Sequence, residues 1–309
     1  MKVFSSIQHF ESTTKTIVTL GTFDGVHCGH QYILNKIINT AKAHDMESLV
    51  LTFFPHPRMV LNKDKSIKLI NTINEKTELL SKAGVDNLVI HPFDNMFSSL
   101  TGEEFTKKVL VDIFKVHKII IGYDHRFGKG GSCDINDLEA FGKKYGFEVE
   151  QISAQEINDV SVSSTKVRQA LSQGDIIDAN SYLGYPFYIT GTVTKGKQLG
   201  RTIGFPTANI KPTEDYKLIP QKGVYIVKVK IDTIDYPAML NIGTNPTVGE
   251  NELTIEANIL DFEGDIYDKE VKVSFYDRIR NEQKFNSLEE LKQQLFADKQ
   301  VTKSYFKTM

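Results

Sequence analysis

KTIVTLGTFDGVHCGHQYILNKIINTAKAHD, residues 15–45, changes its periodicity halfway along. The opening KTIVTLGTF is rich in β-formers, whereas Ile33, Leu34, Ile37, Ile38 and Ala41 recur at the spacing of one helix face. A strand therefore runs into the loop GTFDGVHCGH, residues 21–30, and the loop into a helix. A helix N-terminus carries unpaired N–H groups and a partial positive charge, which attract phosphate. His30 falls where the helix begins, His27 one turn before it, and Gly29 leaves room for a ligand oxygen to approach the backbone. Both imidazoles can donate hydrogen bonds to phosphate oxygens, so the loop composes a triphosphate cradle without a P-loop. An isolated H-x-G-H is more often an incidental surface pair, so the reading depends on what accompanies it.

The same alternation continues on the C-terminal side. SLVLTFF and NLVIHPF read as buried strands, NEKTELLSKAG as a helix ending at Gly84, and HKIIIGYD as a further strand. Thr101 with Glu104 forms a capping box for a helix over GEEFTKKVLVDIF. Alternating β and α segments predict a parallel sheet wrapped by helices, which binds ligands at the carboxyl ends of its strands. GTFDGVHCGH, FFPHPR and GYDHRFG all follow strands.

Beyond about Tyr185 the texture changes. YPFYITGTVT, KGVYIVKVKIDTIDYPAMLNIG, LTIEANILDF and KEVKVSFYDR follow one another without intervening helices, which predicts an antiparallel sheet closed as a small barrel. Ser287, with Glu290 three residues on, caps a terminal helix. The fold class expected is thus α/β, with a second, antiparallel barrel domain, and the domains expected are 1–184 and 185–309.

Composition limits the function classes. The 309 residues include 37 basic and 39 acidic side chains, a net charge of -2, which argues against nucleic acid or an anionic membrane as partner. Cys28 and Cys133 are too few for a disulfide framework and unlike a zinc spacing, so a reducing cytoplasm is expected. The N-terminus lacks the apolar core of a signal peptide, and no apolar run approaches the ~20 residues of a membrane helix. Cys28 sits at a helix N-terminus between two histidines, a setting that lowers a thiol pKa. The plainer expectation is that it points into the core.

Three further stretches carry chemistry. In VSSTKVRQAL, Ser163, Ser164 and Thr165 precede a helix bearing Lys166 and Arg168. GTVTKGKQ, residues 191–198, nearly matches a P-loop but has Gln198 where a Mg²⁺-binding hydroxyl is required, and Gly200, Gly204 and Pro206 follow within a few residues where a P-loop runs into a helix. Gly196, Gly200 and Gly204 instead suit close approach of backbone to phosphates, while Thr207 and Asn209 alternate so that both oxygens face one ligand, as Mg²⁺ prefers. In TIEANILDF, Glu256 and Asn258 lie on the strand face opposite Ile255, Ala257 and Ile259.

Taken in order, GTFDGVHCGH, TFFPHP at residues 52–57, GYDHRFGKG and SSTKVR resemble the adenylyltransferase half of the prokaryotic bifunctional riboflavin kinase/FMN adenylyltransferase (FAD synthetase) family. GFPTAN, TIEANILDF and DFEGDIYDKEVKVSFYDRIRNEQKF resemble its riboflavin kinase half. The resemblance implies a Rossmann-like nucleotidylyltransferase domain and a riboflavin kinase barrel, with ATP, riboflavin, FMN and FAD as substrates or products, and Mg²⁺. It implies catalytic roles for His27, His30, Arg168 and Glu256, and Mg²⁺ contacts from Thr207 and Asn209. Nucleotide or flavin contacts follow for Gly21, Phe23, Asp24, Gly25, Gly29, His56, Asp124, Arg126, Ser163, Ser164, Thr165, Gly196, Gly200, Gly204, Arg278 and Arg280. Family members often have His where Asn258 stands and Gly where Asp268 stands.

The two implied steps need different residues. A ribityl hydroxyl must lose a proton to attack ATP, so a carboxylate base is needed and Glu256 is the candidate. The phosphate of FMN is already an anion, with a second pKa of ~6, so adenylyl transfer needs positioning and charge stabilisation instead. Two other readings stay open: an adenylyltransferase for another phosphomonoester with an unrelated barrel, and a barrel that is a non-catalytic binding module, either regulatory or flavin-storing.

Overall fold

The computed structural model describes residues 1–61, 67–123, 125–153, 162–196, 199–244 and 253–308. Their contacts divide into two compact units, Met1–Ser163 and Ser164–Met309.

In the first unit β1 (Lys2–Phe4), β2 (Thr16–Leu20), β3 (Glu47–Phe53), β4 (Asn87–His91), β5 (Val116–Gly122) and β6 (Glu148–Ile152) form one sheet in the order β1-β4-β3-β2-β5-β6. All its pairings are parallel. Every residue of β2 is buried because helices cover both faces, so this strand shows a continuous run rather than alternation. On one face Ile17, Val50 and Leu88 pack with Ile33, Leu34, Ile37 and Ala41 of α1 (Cys28–Ala43). On the other, Val18, Leu49, Leu51 and Ile119 pack with Phe105, Val109, Leu110 and Phe114. From β2 the chain moves outward to β3 and β4, and later returns to place β5 on the opposite side of β2. That reversal opens a crevice beyond the carboxyl ends of β2 and β5, the usual ligand position in such sheets.

α3 (Ile73–Ala83) begins with a capping box of Thr72 and Glu75 and ends at left-handed Gly84. α2 is the short helix Pro57–Leu61. The expected helix after Thr101 is a single α-turn, α5 (Gly102–Phe105), continuing as a π-helix over Thr106–Ile113. α4 (Asn95–Ser98) precedes it, and α6 (Ile135–Tyr145) covers the sheet further on.

The second unit opens with α7 (Ser164–Gln173) and α8 (Ile176–Leu183). β7 (Tyr188–Thr194), β8 (Ala208–Pro212), β9 (Gly223–Ile231), β10 (Ile234–Thr244), β11 (Leu253–Ile259) and β12 (Glu270–Arg280) close an antiparallel barrel in the order β10-β11-β8-β7-β12-β9. α9 (Leu199–Thr202) lies in the loop between β7 and β8, and α10 (Leu288–Lys307) carries the expected Ser287 cap. Asp268 adopts φ 61, a left-handed conformation that suits glycine, which gives a physical reason for the Gly that the resemblance puts there. Among the described residues no helix is long and apolar enough to cross a membrane.

Candidate active sites

The loop after β2 is bent by three positive-φ positions within four residues: Phe23 at φ 47, Gly25 at φ 91 and Val26 at φ 38. Gly25 meets this without a Cβ penalty; Phe23 and Val26 do not, and both are held by burial in the core. The result turns His27 into the N-cap of α1, its Nδ1 accepting the backbone N–H of His30 at 3.4 Å. The two imidazoles stack with ring centroids 3.7 Å apart, and Phe23 lies 4.9 Å from His30 on the same cluster. Gly21 donates its backbone N–H to Leu51, and Gly29 is buried in the first turn. Burial, followed by the neighbouring His27 and Lys76, holds the His30 imidazole well below the usual histidine range. His30 is thus a neutral ring, with an enclosed Nδ1 that has no hydrogen-bond partner among the described residues.

Asp24 is 1 % exposed, and its Oδ1 accepts the backbone N–H groups of Ile70 and Asn71 at 3.0 and 3.3 Å. Its carboxylate thus ties the histidine loop to the segment leading into α3. Lys76 of α3 reaches the same loop from below, donating from Nζ to the Thr22 carbonyl at 2.7 Å. Sequence reading missed Lys76. The available signal was its position four residues before buried Leu80, on the stripe where an apolar side chain is expected.

Cys28 is half-buried, and burial pushes its thiol up from the ordinary 9.0, outweighing a backbone hydrogen bond that lowers it. The lowered thiol expected from a helix N-terminus is not what the structure has, because desolvation disfavours the thiolate more. His56 is buried and its Nδ1 accepts the Arg58 N–H at the start of α2. Arg126 is exposed beside Asp134, the cap of α6, at 3.9 Å. Asp124 lies outside the described residues.

In the barrel, Asn209 of β8 is the register partner of Glu256 on β11. Thr207 Oγ1 stands 3.4 Å from Glu256 Oε2, at the long end for a hydrogen bond. Asn258, two residues along the strand from Glu256, donates from Nδ2 to the Pro206 carbonyl at 2.7 Å and pins the GFPTAN turn to β11. A Cβ on Gly196 would lie 2.0 Å from Asn209 Nδ2, and one on Gly200 would lie 2.2 Å from the Phe205 carbonyl oxygen. Both glycines are therefore dictated by close approach, whereas Gly204 has open space and is dictated by φ 82. Neutral oxygens of Thr207 and Asn209 beside one carboxylate suit a hard cation carried by a polyphosphate better than a dedicated protein cage. No group of three His, Cys, Asp or Glu able to hold a metal occurs among the described residues.

Two arginines expected to contact ligand have protein partners. Register shifts in β12 fall between Phe275 and Asp277 and between Arg278 and Arg280, and such bulges re-aim side chains. Arg280 binds Asp298 of α10 through Nε and Nη2, the latter at 2.8 Å, with Asp298 1 % exposed. Arg278 donates to the carbonyls of Gln173 and Lys222 and packs against Gly174 and Gly223. Ser164, Thr165 and Arg168 open α7, whose Val167, Ala170 and Leu171 are buried; Ser163 immediately precedes it.

The family model for FAD synthetase matches residues 9–166, and that for riboflavin kinase matches residues 183–306. The bifunctional riboflavin kinase/FMN adenylyltransferase of Listeria monocytogenes is 39 % identical over 292 residues, covering 94 % of this chain and 92 % of that protein. The protein of the same description from Escherichia coli K12 is 36 % identical over 309 residues, covering 99 % and 98 %. A crystal structure of a Streptococcus pneumoniae protein described as a macrolide-efflux protein superposes with a TM-score of 0.90 at 33 % identity, covering 98 % of each chain. With an H-x-G-H loop at the sheet's switch point, a Thr–Asn–Glu cluster on a closed barrel and two matched models spanning both halves, this chain belongs to the family of bifunctional riboflavin kinases/FMN adenylyltransferases.

Proposed function

We propose that the family's two activities divide along the chain, with FMN adenylylated to FAD by residues 1–184 and riboflavin phosphorylated to FMN by residues 185–309. The observation that carries the kinase assignment is the convergence of Thr207, Asn209 and Glu256 beneath a glycine-shaped loop. Glu256 accepts the proton of the attacking ribityl hydroxyl as that oxygen approaches the γ-phosphate of ATP, and ADP leaves. Thr207 and Asn209 would hold Mg²⁺ by neutral oxygens, and the ion would supply positive charge against the phosphates of ATP. Gly196, Gly200 and Gly204 let the backbone close on those phosphates.

At the α/β site no base is needed, because FMN attacks as a phosphate anion. His27 and His30 donate to the phosphates of ATP at the α1 N-terminus, with Gly29 admitting an oxygen to the backbone. Ser163, Ser164, Thr165 and Arg168 stabilise the departing pyrophosphate, and Asp124 and Arg126 bind the adenosine and flavin ends. Gly21, Phe23, Gly25 and His56 shape the pocket, and Asp24 fixes the loop through Ile70 and Asn71. Arg278 and Arg280 serve the flavin site indirectly, by holding β12 against its neighbours. Half-buried free cysteines suit a reducing cytoplasm.

The test is two time courses with the full chain and Mg-ATP, one from riboflavin and one from FMN, followed by chromatography. Appearance of FMN before FAD in the first, and FAD alone in the second, is expected. FAD from supplied FMN with no phosphorylation of riboflavin would leave the barrel as a binding module. Adenylylation of phosphomonoesters other than FMN in preference to it would reassign the first site.

A further inference from the structure

We propose that Lys76 is a further positioning residue of the adenylyl-transfer site: its buried ammonium, bonded to the Thr22 carbonyl of the histidine loop, supplies a positive charge that the polyphosphate of ATP meets there. This inference rests on the reading that the H-x-G-H loop binds ATP.

Lysine is almost never fully buried without a partner, yet Lys76 is 3 % exposed. Its Nζ has three donors, and the Thr22 carbonyl takes one of them. That carbonyl also accepts from Thr52 Oγ1 at 3.1 Å, so it is shared. The carboxylate nearest to it in effect, Asp24, already receives two backbone N–H groups on Oδ1. Glu75, its neighbour on α3, accepts the Thr72 backbone N–H in the capping box. From α1 the facing groups are His27 and His30, and His30 is neutral. His30 is therefore a hydrogen-bond donor rather than a cation in this site, and the lysine ammonium lies within electrostatic reach of it.

The balance of charge points the same way. Burial drives Lys76 down to about 8 and outweighs the attraction of Asp24. Lys118 on β5, far less buried and held by Glu150 and Glu148 of β6, is raised instead. The lowering of Lys76 reports its burial, and an anion brought to this loop would be stabilised by the ammonium and would in turn stabilise its protonated form. A leucine or methionine would fill the same stripe of α3 without the cost of burying an ammonium.

The sign of the pH effect follows. The lysine is charged below about 8 and loses its charge as the pH rises through that value, so ATP binding at this site weakens above it. The experiment measures the KM for ATP and kcat in FMN adenylylation by the full chain, from about pH 7 to about pH 9.5, for the wild type, Lys76→Met and Lys76→Arg. Riboflavin phosphorylation by the same preparations reports folding. Lys76→Met should raise the KM for ATP by roughly tenfold, the size of one lost charge-assisted contact, with a smaller change in kcat. Lys76→Arg, which stays protonated, should restore most of it and abolish the alkaline rise seen in the wild type. An unchanged KM in Lys76→Met, or the same alkaline rise in Lys76→Arg, overturns the proposal. If both variants lose kinase activity as well, the wild-type profile decides: a flat KM across the range overturns it. His30→Ala separates the two layers, since normal adenylylation in that variant removes the underlying site reading, whereas its loss with Lys76→Met unaffected removes only the role of Lys76.

Discussion

His27 and His30 stack with ring centroids 3.7 Å apart and planes 17° apart, the first ring capping the helix on which the second is carried. Two cationic imidazoles would repel at that distance, so the pair is stable with His30 neutral, as its depressed pKa requires. A neutral donor such as His30 binds phosphate by direction rather than by charge. His30→Ala is expected to lower FAD formation from FMN on the order of 10² to 10³, as for loss of an oxyanion-hole donor, and to let FMN accumulate from riboflavin. Imidazole NMR should show the His30 ring still neutral at about pH 6, where an ordinary histidine with a pKa of ~6.5 is largely protonated.

Glu256→Gln keeps size and shape but removes the proton acceptor facing Thr207. Riboflavin phosphorylation should fall by ~10² to 10⁴, the range of general-base catalysis, while FAD formation from supplied FMN is untouched. Equal loss of both activities in a folded variant would contradict the division of chemistry between the two sites.

Gly196 and Gly200 make opposite forecasts for the same mutation. A Cβ at Gly196 meets the end of the Asn209 side chain, which can swing away, so Gly196→Ala should fold and raise the Mg-ATP requirement of the kinase step, as Asn209→Ala should too. A Cβ at Gly200 meets the backbone carbonyl of Phe205 at 2.2 Å, which cannot yield without remaking the turn. Gly200→Ala should therefore lose phosphorylation at every Mg²⁺ concentration. Titrations of kinase rate against Mg²⁺ distinguish the two.

Asp298→Ala leaves Arg280, 17 % exposed, without its carboxylate. A cost of about 3 kcal/mol is expected, toward the lower end for breaking a buried pair because some solvent reaches the guanidinium. Lys82→Ala, which breaks an exposed pair with Glu78 on α3, should cost no more than about 0.5 kcal/mol. Denaturant unfolding followed by kinase activity checks the first, and by far-ultraviolet circular dichroism the second.

The α/β texture, the switch to an antiparallel barrel and the caps at Thr101 and Ser287 were determined by the sequence itself. Period, capping and turn chemistry act between residues a few positions apart, so the local chain carries them. H-x-G-H and GFPTAN were legible for the same reason: their chemistry lies within one turn or one strand. The π-helical continuation after Phe105, the raised thiol of Cys28 and the partners of Arg278 and Arg280 were decided only by tertiary structure. So was the burial of Lys76, whose partner Thr22 lies 54 residues away in sequence. No local pattern encodes which side chain a fold will desolvate or which distant group will meet it, because burial and pairing are properties of packed elements and not of their spacing along the chain.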